Sequence, residues 1–169
     1  IVEAGAELLL HAGELLEGLR LLREPLGVFE QYLFELQWTA LRSYANDRGV
    51  YLFGDLPFYV DRNSVEVWWD RGLFQLDADG APLAVAGVPP DYFNADGQLW
   101  GNPLYDWVAL AAGGFRWWLA RLETQLALFD VVRIDHFRGL EAYWAVPAGA
   151  PDAIAGRWRS APGTALLEA

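Results

Sequence analysis

Arg133 and Asp135 stand two residues apart, and a chemical reading of this chain starts from that spacing. They fall in and just after the run Leu128, Phe129, Val131, Val132 and Ile134, which is rich in β-branched and aromatic residues, is cut off by Gly139 and predicts a short strand. Strand side chains alternate, so Val131, Arg133 and Asp135 share one face while Val132 and Ile134 share the other. In a closed parallel sheet the first face would point inward and the second toward covering helices. An arginine in so dry a place is tolerated only when paired, and Asp135 is the nearest acceptor on its face. The pairing would keep Asp135 ionised, as a nucleophilic carboxylate requires. For Arg-x-Asp taken alone, an ordinary ion pair at a strand end is the competing account.

The same grammar occurs earlier. Gly49-Val50-Tyr51-Leu52-Phe53-Gly54-Asp55-Leu56-Pro57 is a second apolar run that reaches an acid before a loop marked by Gly and Pro. Polar residues at the C-terminal ends of (β/α)8 barrel strands are where such enzymes place chemistry, so Asp55 and Asp135 suggest one catalytic face. A turn-forming or helix-capping role is the alternative for Asp55.

A helix precedes each strand. Phe29, Leu33, Leu36, Ala40, Leu41 and Tyr44 recur at three- and four-residue spacing and predict a helix over 29–45, stopped by Asn46-Asp47-Arg48-Gly49. Phe115, Trp118, Leu119, Leu122 and Leu126 form the core stripe of a second helix over 114–128. Helix, strand, long insert, helix, strand predicts an α/β chain forming part of a (β/α)8 barrel, with a doubly wound sheet as the lesser option.

The insert, 60–113, is too long for a simple crossover and reads as functional. Within it, Asp79-Gly80 between apolar runs predicts a small hairpin over 74–85. The stretch 87–105 is dense in Gly, Pro, Asn and Asp and predicts a loop, yet it carries Tyr92, Phe93, Trp100 and Tyr105, with Trp107 just beyond. Aromatic rings interleaved with Asp91, Gln98 and Asn102 suit a sugar, whose C–H faces pack on rings while its hydroxyls meet amides and acids. A satellite core beneath the loop is the alternative for any single ring.

These residues also carry a family resemblance. Gly-Val-Pro-Pro-Asp-Tyr-Phe (87–93), Gly-Gln-Leu-Trp-Gly-Asn-Pro-Leu-Tyr (97–105), Val-Arg-Ile-Asp-His-Phe-Arg-Gly (132–139) and Glu-Ala-Tyr-Trp (141–144) resemble the amylomaltases, or disproportionating enzymes, the 4-α-glucanotransferases of glycoside hydrolase family 77. The likeness runs from about Phe29 to about Gly163. It implies a catalytic barrel of the α-amylase clan that moves an α-1,4-glucan segment from a donor to glucose or a malto-oligosaccharide, with retention, through a covalent glycosyl-enzyme. By the same resemblance Asp135 is the nucleophile, Arg133 its positioning partner and His136 a contact to sugar hydroxyls. Asp91, Tyr92, Phe93, Gln98 and Trp100 fall in the loop that handles donor and acceptor chains, and Asp55 supports the site. No cofactor or metal is implied.

Retaining chemistry needs a second carboxyl roughly 5 to 5.5 Å from the nucleophile. In the family that acid/base Glu ends the next barrel strand; by the resemblance it falls beyond Ala169, and so does a third acid that helps distort the sugar ring. Glu141 is at a family position without that role. The length of 169 residues, against about 250 for such a barrel, predicts a fragment with two or three of the eight strands, inactive by itself. Its parts are read as a helical segment without an assigned partner (1–28), helix and strand (29–59), insert with substrate loop (60–113), helix and nucleophile strand (114–139), and a loop region (140–169). An α-glucan hydrolase of the same clan and a non-catalytic glucan-binding remnant are the competing functions.

Composition excludes other classes. A net charge of −11 argues against nucleic acid and anionic membranes as partners, whereas a neutral polysaccharide is indifferent to it. With 9 Trp, 9 Phe and 7 Tyr the chain can build a core. No Cys means no disulfide or thiolate metal site, compatible with a cytoplasmic location, and His11 and His136 are too far apart in sequence to predict a histidine metal site. Arg157 and Arg159 lie near Gly156 without the Gly-rich turn and Lys-Ser/Thr of a phosphate loop.

Overall fold

The structure, a computed structural model, describes residues 26–169. Of the helical segment expected over 1–28, residues 1–25 lie outside them. The chain divides into two compact units, 1–52 and 53–169. In the first, α1 covers 26–46. Its end is a glycine cap: Gly49 takes φ +72°, which a side chain would resist, and Val50 N–H donates to Ala45 O at 3.0 Å.

The second unit holds two sheets around one core. Strands β1 (Phe53–Leu56) and β4 (Val131–Ile134) pair in parallel, with Asp55 opposite Arg133. The expected first strand is thus shorter than the apolar run that suggested it. Val50 to Leu52 lie outside the ladder, and Asp55 sits within the strand instead of ending it. Asp135 does follow its strand directly, and its N–H extends the ladder by donating to Leu56 O at 2.9 Å.

Helix α2 (Val65–Trp69) follows β1, and helix α3 (Trp107–Ala112) leads into α4 (Arg116–Leu128), which packs on both parallel strands. The alternation predicted for β4 appears as burial: Val131, Arg133 and Asp135 are exposed, while Val132 and Ile134 are half-buried against the core. The dry interior expected for Arg133 is therefore open, with its side chain 53% exposed.

The second sheet is antiparallel, in the order β3 (Gln98–Pro103), β2 (Ala84–Val88), β5 (Ala142–Pro147), β6 (Arg157–Ser160). Residues 87–88 and 98–103 of the stretch that reads as loop are thus strand, and residues 142–147 and 157–160, read as a loop region, form the other two strands of the sheet. In β2 and β3 local sequence conceals this, because Gly87, Gly101 and Pro103 speak against a strand. Gly87 is tolerated and needed: a Cβ there would press on Gln98 O across the ladder. The Asp79-Gly80 turn forms, with Gly80 N–H donating to Asp77 O at 3.0 Å, but the hairpin holds a single bridge, Leu76 to Pro82.

One apolar cluster joins the layers, from Leu56, Phe58 and Tyr59 through Tyr105, Trp107 and Leu110 to Trp118, Leu140 and Tyr143. The satellite-core account thus holds for Tyr105 and Trp107. Tyr105 is 1% exposed, and its hydroxyl donates to Phe58 O at 2.6 Å.

Gly139, just past β4, is part of this packing. A Cβ there would stand 2.7 Å and 2.8 Å from two ring carbons of Phe58, itself hemmed in by Tyr59, Tyr105, Trp107 and Trp118. A ring so confined cannot yield, so Gly139→Ala is expected to cost about 1–3 kcal/mol, read as a lower denaturant midpoint with unchanged slope. A midpoint equal to wild type would contradict that packing.

Candidate active site

The parallel register brings Asp55 and Arg133 side by side on one face, and Asp135 follows two residues later on that face. Arg133 uses both sides of its guanidinium. Its Nε donates to Asp55 Oδ1 at 2.9 Å, and an Nη donates to Asp135 Oδ1. The guanidinium cannot rotate toward one acid without leaving the other, so Asp55 restricts Arg133 and Arg133 restricts Asp135. Side-chain exposures of 53–57% for the three make the stabilisation small and the geometry their main consequence.

His136 turns the chain away from the strand in the left-handed region, at φ +48°. A non-glycine residue there is uncommon and tends to persist where its surroundings hold it. Those surroundings are aromatic: Trp100 lies 4.9 Å away edge-on, Phe58 at 6.0 Å and Tyr59 at 6.1 Å, ring centre to ring centre. Burial holds the imidazole below its usual 6.5, Asp135 opposing this and Arg138 adding to it.

The sign of the linkage follows. With a folded pKa below the unfolded one, the unfolded chain binds more protons, so His136 contributes stability above pH 6.5 that is lost as pH falls through the folded value. His136→Gln is expected to flatten that part of the stability curve, measured as the wild-type minus variant free energy of unfolding between pH 8 and 5. An identical slope in both proteins would overturn it.

Asp135, His136, Trp100, Asn102, Tyr59, Phe58 and Pro57 enclose a pocket of about 220 Å³. Larger hollows of about 480 Å³ beside Trp68 and about 560 Å³ beside Arg138 lie among other residues. Only the small one has the strand-end carboxylate in its wall. Asn102 is fixed there by donating to Val60 O at 2.9 Å, and Trp100 Nε1 by donating to Gln98 Oε1 at 3.0 Å. Gln98 therefore acts on the pocket through Trp100.

The remaining predicted residues do not line it. Asp91 Oδ1 accepts from Phe93 N–H and Asn94 N–H, both at 2.8 Å, and so spends itself on holding its own turn. That turn presents Tyr92 and Phe93 to solvent at 98% and 92% exposure, with their rings edge to face at 5.5 Å. Sequence reasoning missed Tyr59 as part of the pocket. The available signal was position alone, since Pro57-Phe58-Tyr59 follows the Asp55 strand at the same end as Asp135 follows its own.

A family model described as 4-alpha-glucanotransferase matches residues 25–169. The chain belongs to the 4-alpha-glucanotransferase family. Its relatives include the 4-alpha-glucanotransferase of Aquifex aeolicus, 53% identical over 141 residues, which are 83% of this chain and 29% of that protein. The enzyme of Thermus thermophilus is 53% identical over 140 residues, 83% of this chain and 28% of its own length. Among solved structures, the amylomaltase from Streptococcus agalactiae in complex with acarbose superposes with a TM-score of 0.79 at 47% identity, covering 82% of this chain and 28% of that one. The chain thus spans under a third of the family members it matches. Among the described residues no helix is long and apolar enough to cross a membrane, and no group of three or more His, Asp or Glu could hold a metal ion.

Proposed function

We propose that this chain carries the nucleophile half of a retaining 4-α-glucanotransferase built on a (β/α)8 barrel, of which β1 and β4 are two strands. The observation that carries the proposal is the Asp55–Arg133–Asp135 array on one face of two parallel strands, beside a pocket walled by Trp100 and His136.

In this reading a glucose ring of an α-1,4-glucan donor enters the pocket, and Asp135 attacks its anomeric carbon. The glycosidic oxygen leaves with a proton from a carboxylic acid on the opposite side, and a covalent glycosyl-enzyme forms. The O4 hydroxyl of glucose or of a malto-oligosaccharide then attacks that carbon, returns its proton to the same acid and releases Asp135. Arg133 holds the attacking oxygen in line, with Asp55 preventing the guanidinium from folding over it. His136 meets sugar hydroxyls, Trp100 packs on the ring, and the turn that displays Tyr92 and Phe93 receives the acceptor chain. Asp91 and Gln98 serve by fixing that turn and the Trp100 indole.

Asp135 is the one carboxylate in the pocket wall among the described residues. The acid/base carboxyl therefore comes, in this proposal, from a segment outside residues 25–169, and the chain by itself turns over no glucan.

A chimera tests this: residues 25–169 replace the matching segment of the Aquifex aeolicus relative, and maltotriose disproportionation is followed as glucose and longer malto-oligosaccharides. Products that grow in length support transfer. Glucose and maltose without longer products would support the hydrolase, and a folded chimera that binds but turns over nothing would support the binding remnant.

A further inference from the structure

We propose that Tyr59 is a sugar-contacting residue, its hydroxyl hydrogen-bonding one hydroxyl group of the glucose ring held beside Asp135. This deepens the glucanotransferase reading and rests on it.

Tyr59 is 8% exposed, and its hydroxyl is buried with no hydrogen-bond partner among the described residues. Folding normally avoids this, because a hydroxyl stripped of water and left unpaired is destabilising. The same chain satisfies a buried phenol where one serves only the fold, since the Tyr105 hydroxyl donates to Phe58 O at 2.6 Å. Just three buried side-chain polar atoms among the described residues lack a partner: Tyr59 Oη, His136 Nε2 and Trp118 Nε1. Two of the three belong to residues lining the Asp135 pocket, while Trp118 lies outside its wall.

The ring of Tyr59 cannot turn to find water. It stacks on Tyr105 at 6.0 Å and 15°, meets Phe58 edge-on at 4.8 Å, and faces Trp100 at 6.2 Å and His136 at 6.1 Å. The backbone ahead of it is held as well, Arg121 donating to Pro57 O at 2.7 Å and Phe58 O at 3.2 Å. A partner for the hydroxyl must therefore arrive from the pocket.

The chemistry of that partner follows from the wall. Asp135 disfavours an anion, the indole of Trp100 suits C–H groups, and Asn102, His136 and the phenol call for small neutral groups that both donate and accept. A pyranose offers all of these. Burial raises the Tyr59 pKa, so the phenol stays neutral and able to donate across the working range of an enzyme.

Tyr59→Phe in the chimera described above, compared with the unmodified chimera, tests the assignment, since it deletes the hydroxyl and keeps the ring. The expected result is a fall of about tenfold in kcat/KM for maltotriose disproportionation, the value of one neutral hydrogen bond, with a melting temperature equal to or above wild type. The gain or equality in melting is the reading that a merely structural hydroxyl would not give. A kcat/KM within twofold of wild type would overturn the assignment, and so would a melting temperature lower by several degrees. A folded wild-type chimera without disproportionation would instead overturn the glucanotransferase reading itself, and Tyr59 with it.

Discussion

Asp135→Asn, placed in a family-length chimera carrying residues 25–169, is expected to lower disproportionation on the order of 10⁴-fold or more, about 5.5 kcal/mol of transition-state stabilisation. The amide has nearly the shape of the carboxylate, so the site geometry changes little, but it cannot form the covalent bond that splits the displacement into two steps. Nor should the fold suffer. Asp135 is more than half exposed, its backbone N–H still donates to Leu56 O, and Arg133 keeps its bond to Asp55. Melting within a few degrees of wild type, with activity gone, is the combination to look for. Residual turnover above about a tenth of wild type would move the nucleophile elsewhere and leave the Arg133 array an ordinary ion-pair network.

Trp118→Ala is the change expected to damage the fold most. Trp118 is fully buried, 5.3 Å from Phe58, 5.4 Å from Tyr105, 5.9 Å from Trp117 and stacked with Trp107 at 6.4 Å, ring centre to ring centre. The Arg121 guanidinium lies 5.3 Å from its ring and reaches from there to the carbonyls of Pro57 and Phe58. Truncation leaves a cavity that four rings cannot close, at a cost of about 3–5 kcal/mol, a large part of the 5–15 kcal/mol typical of a domain. Urea unfolding of the 169-residue chain measures it. Trp118→Phe should cost far less, because the indole N–H it removes has no hydrogen-bond partner among the described residues, so no bond is lost. Equal losses for Phe and Ala would show that the cluster depends on the indole and not on filled volume.

The two outcomes concern different parts of one arrangement. The ring cluster around Trp118 holds the Pro57–Tyr59 segment, and that segment forms a wall of the pocket into which Asp135 projects. A variant that loosens the cluster should therefore lose activity through position, and one at Asp135 through chemistry. Gly139 links the two, packed on Phe58 on one side and on the His136 ring, 3.1 Å from its would-be Cβ, on the other.

Periodicity in the sequence was enough for the helices over 26–46 and Arg116–Leu128, for the strand at Val131–Ile134 and for the face shared by Arg133 and Asp135, because each repeats within a few residues. The long motifs gave the family, and with it the expected nucleophile. Four strands of antiparallel sheet escaped notice. Gly87, Gly101 and Pro103 sit within or at the ends of β2 and β3, where local preference speaks against a strand; the ladder that overrides it pairs β3 with β2, as Gly87 with Leu99, and β2 with the distant β5, as Val85 with Val146. The roles of Asp91 and Gln98 were hidden for a similar reason. A side chain able to bind sugar and one that fixes its neighbour's backbone or indole look alike until the geometry separates them.

The sequence by itself determined the family and the face that Arg133 and Asp135 share, since identity, alternation and short-range spacing are local properties. Only the tertiary structure decided that Asp55 faces Arg133 across a parallel ladder, that Tyr105 and Trp107 belong to the core, and that Tyr59 stands in the pocket wall with its hydroxyl unpaired among the described residues. Those are contacts between distant segments, fixed by register and by the packing of large rings, and no local pattern encodes them.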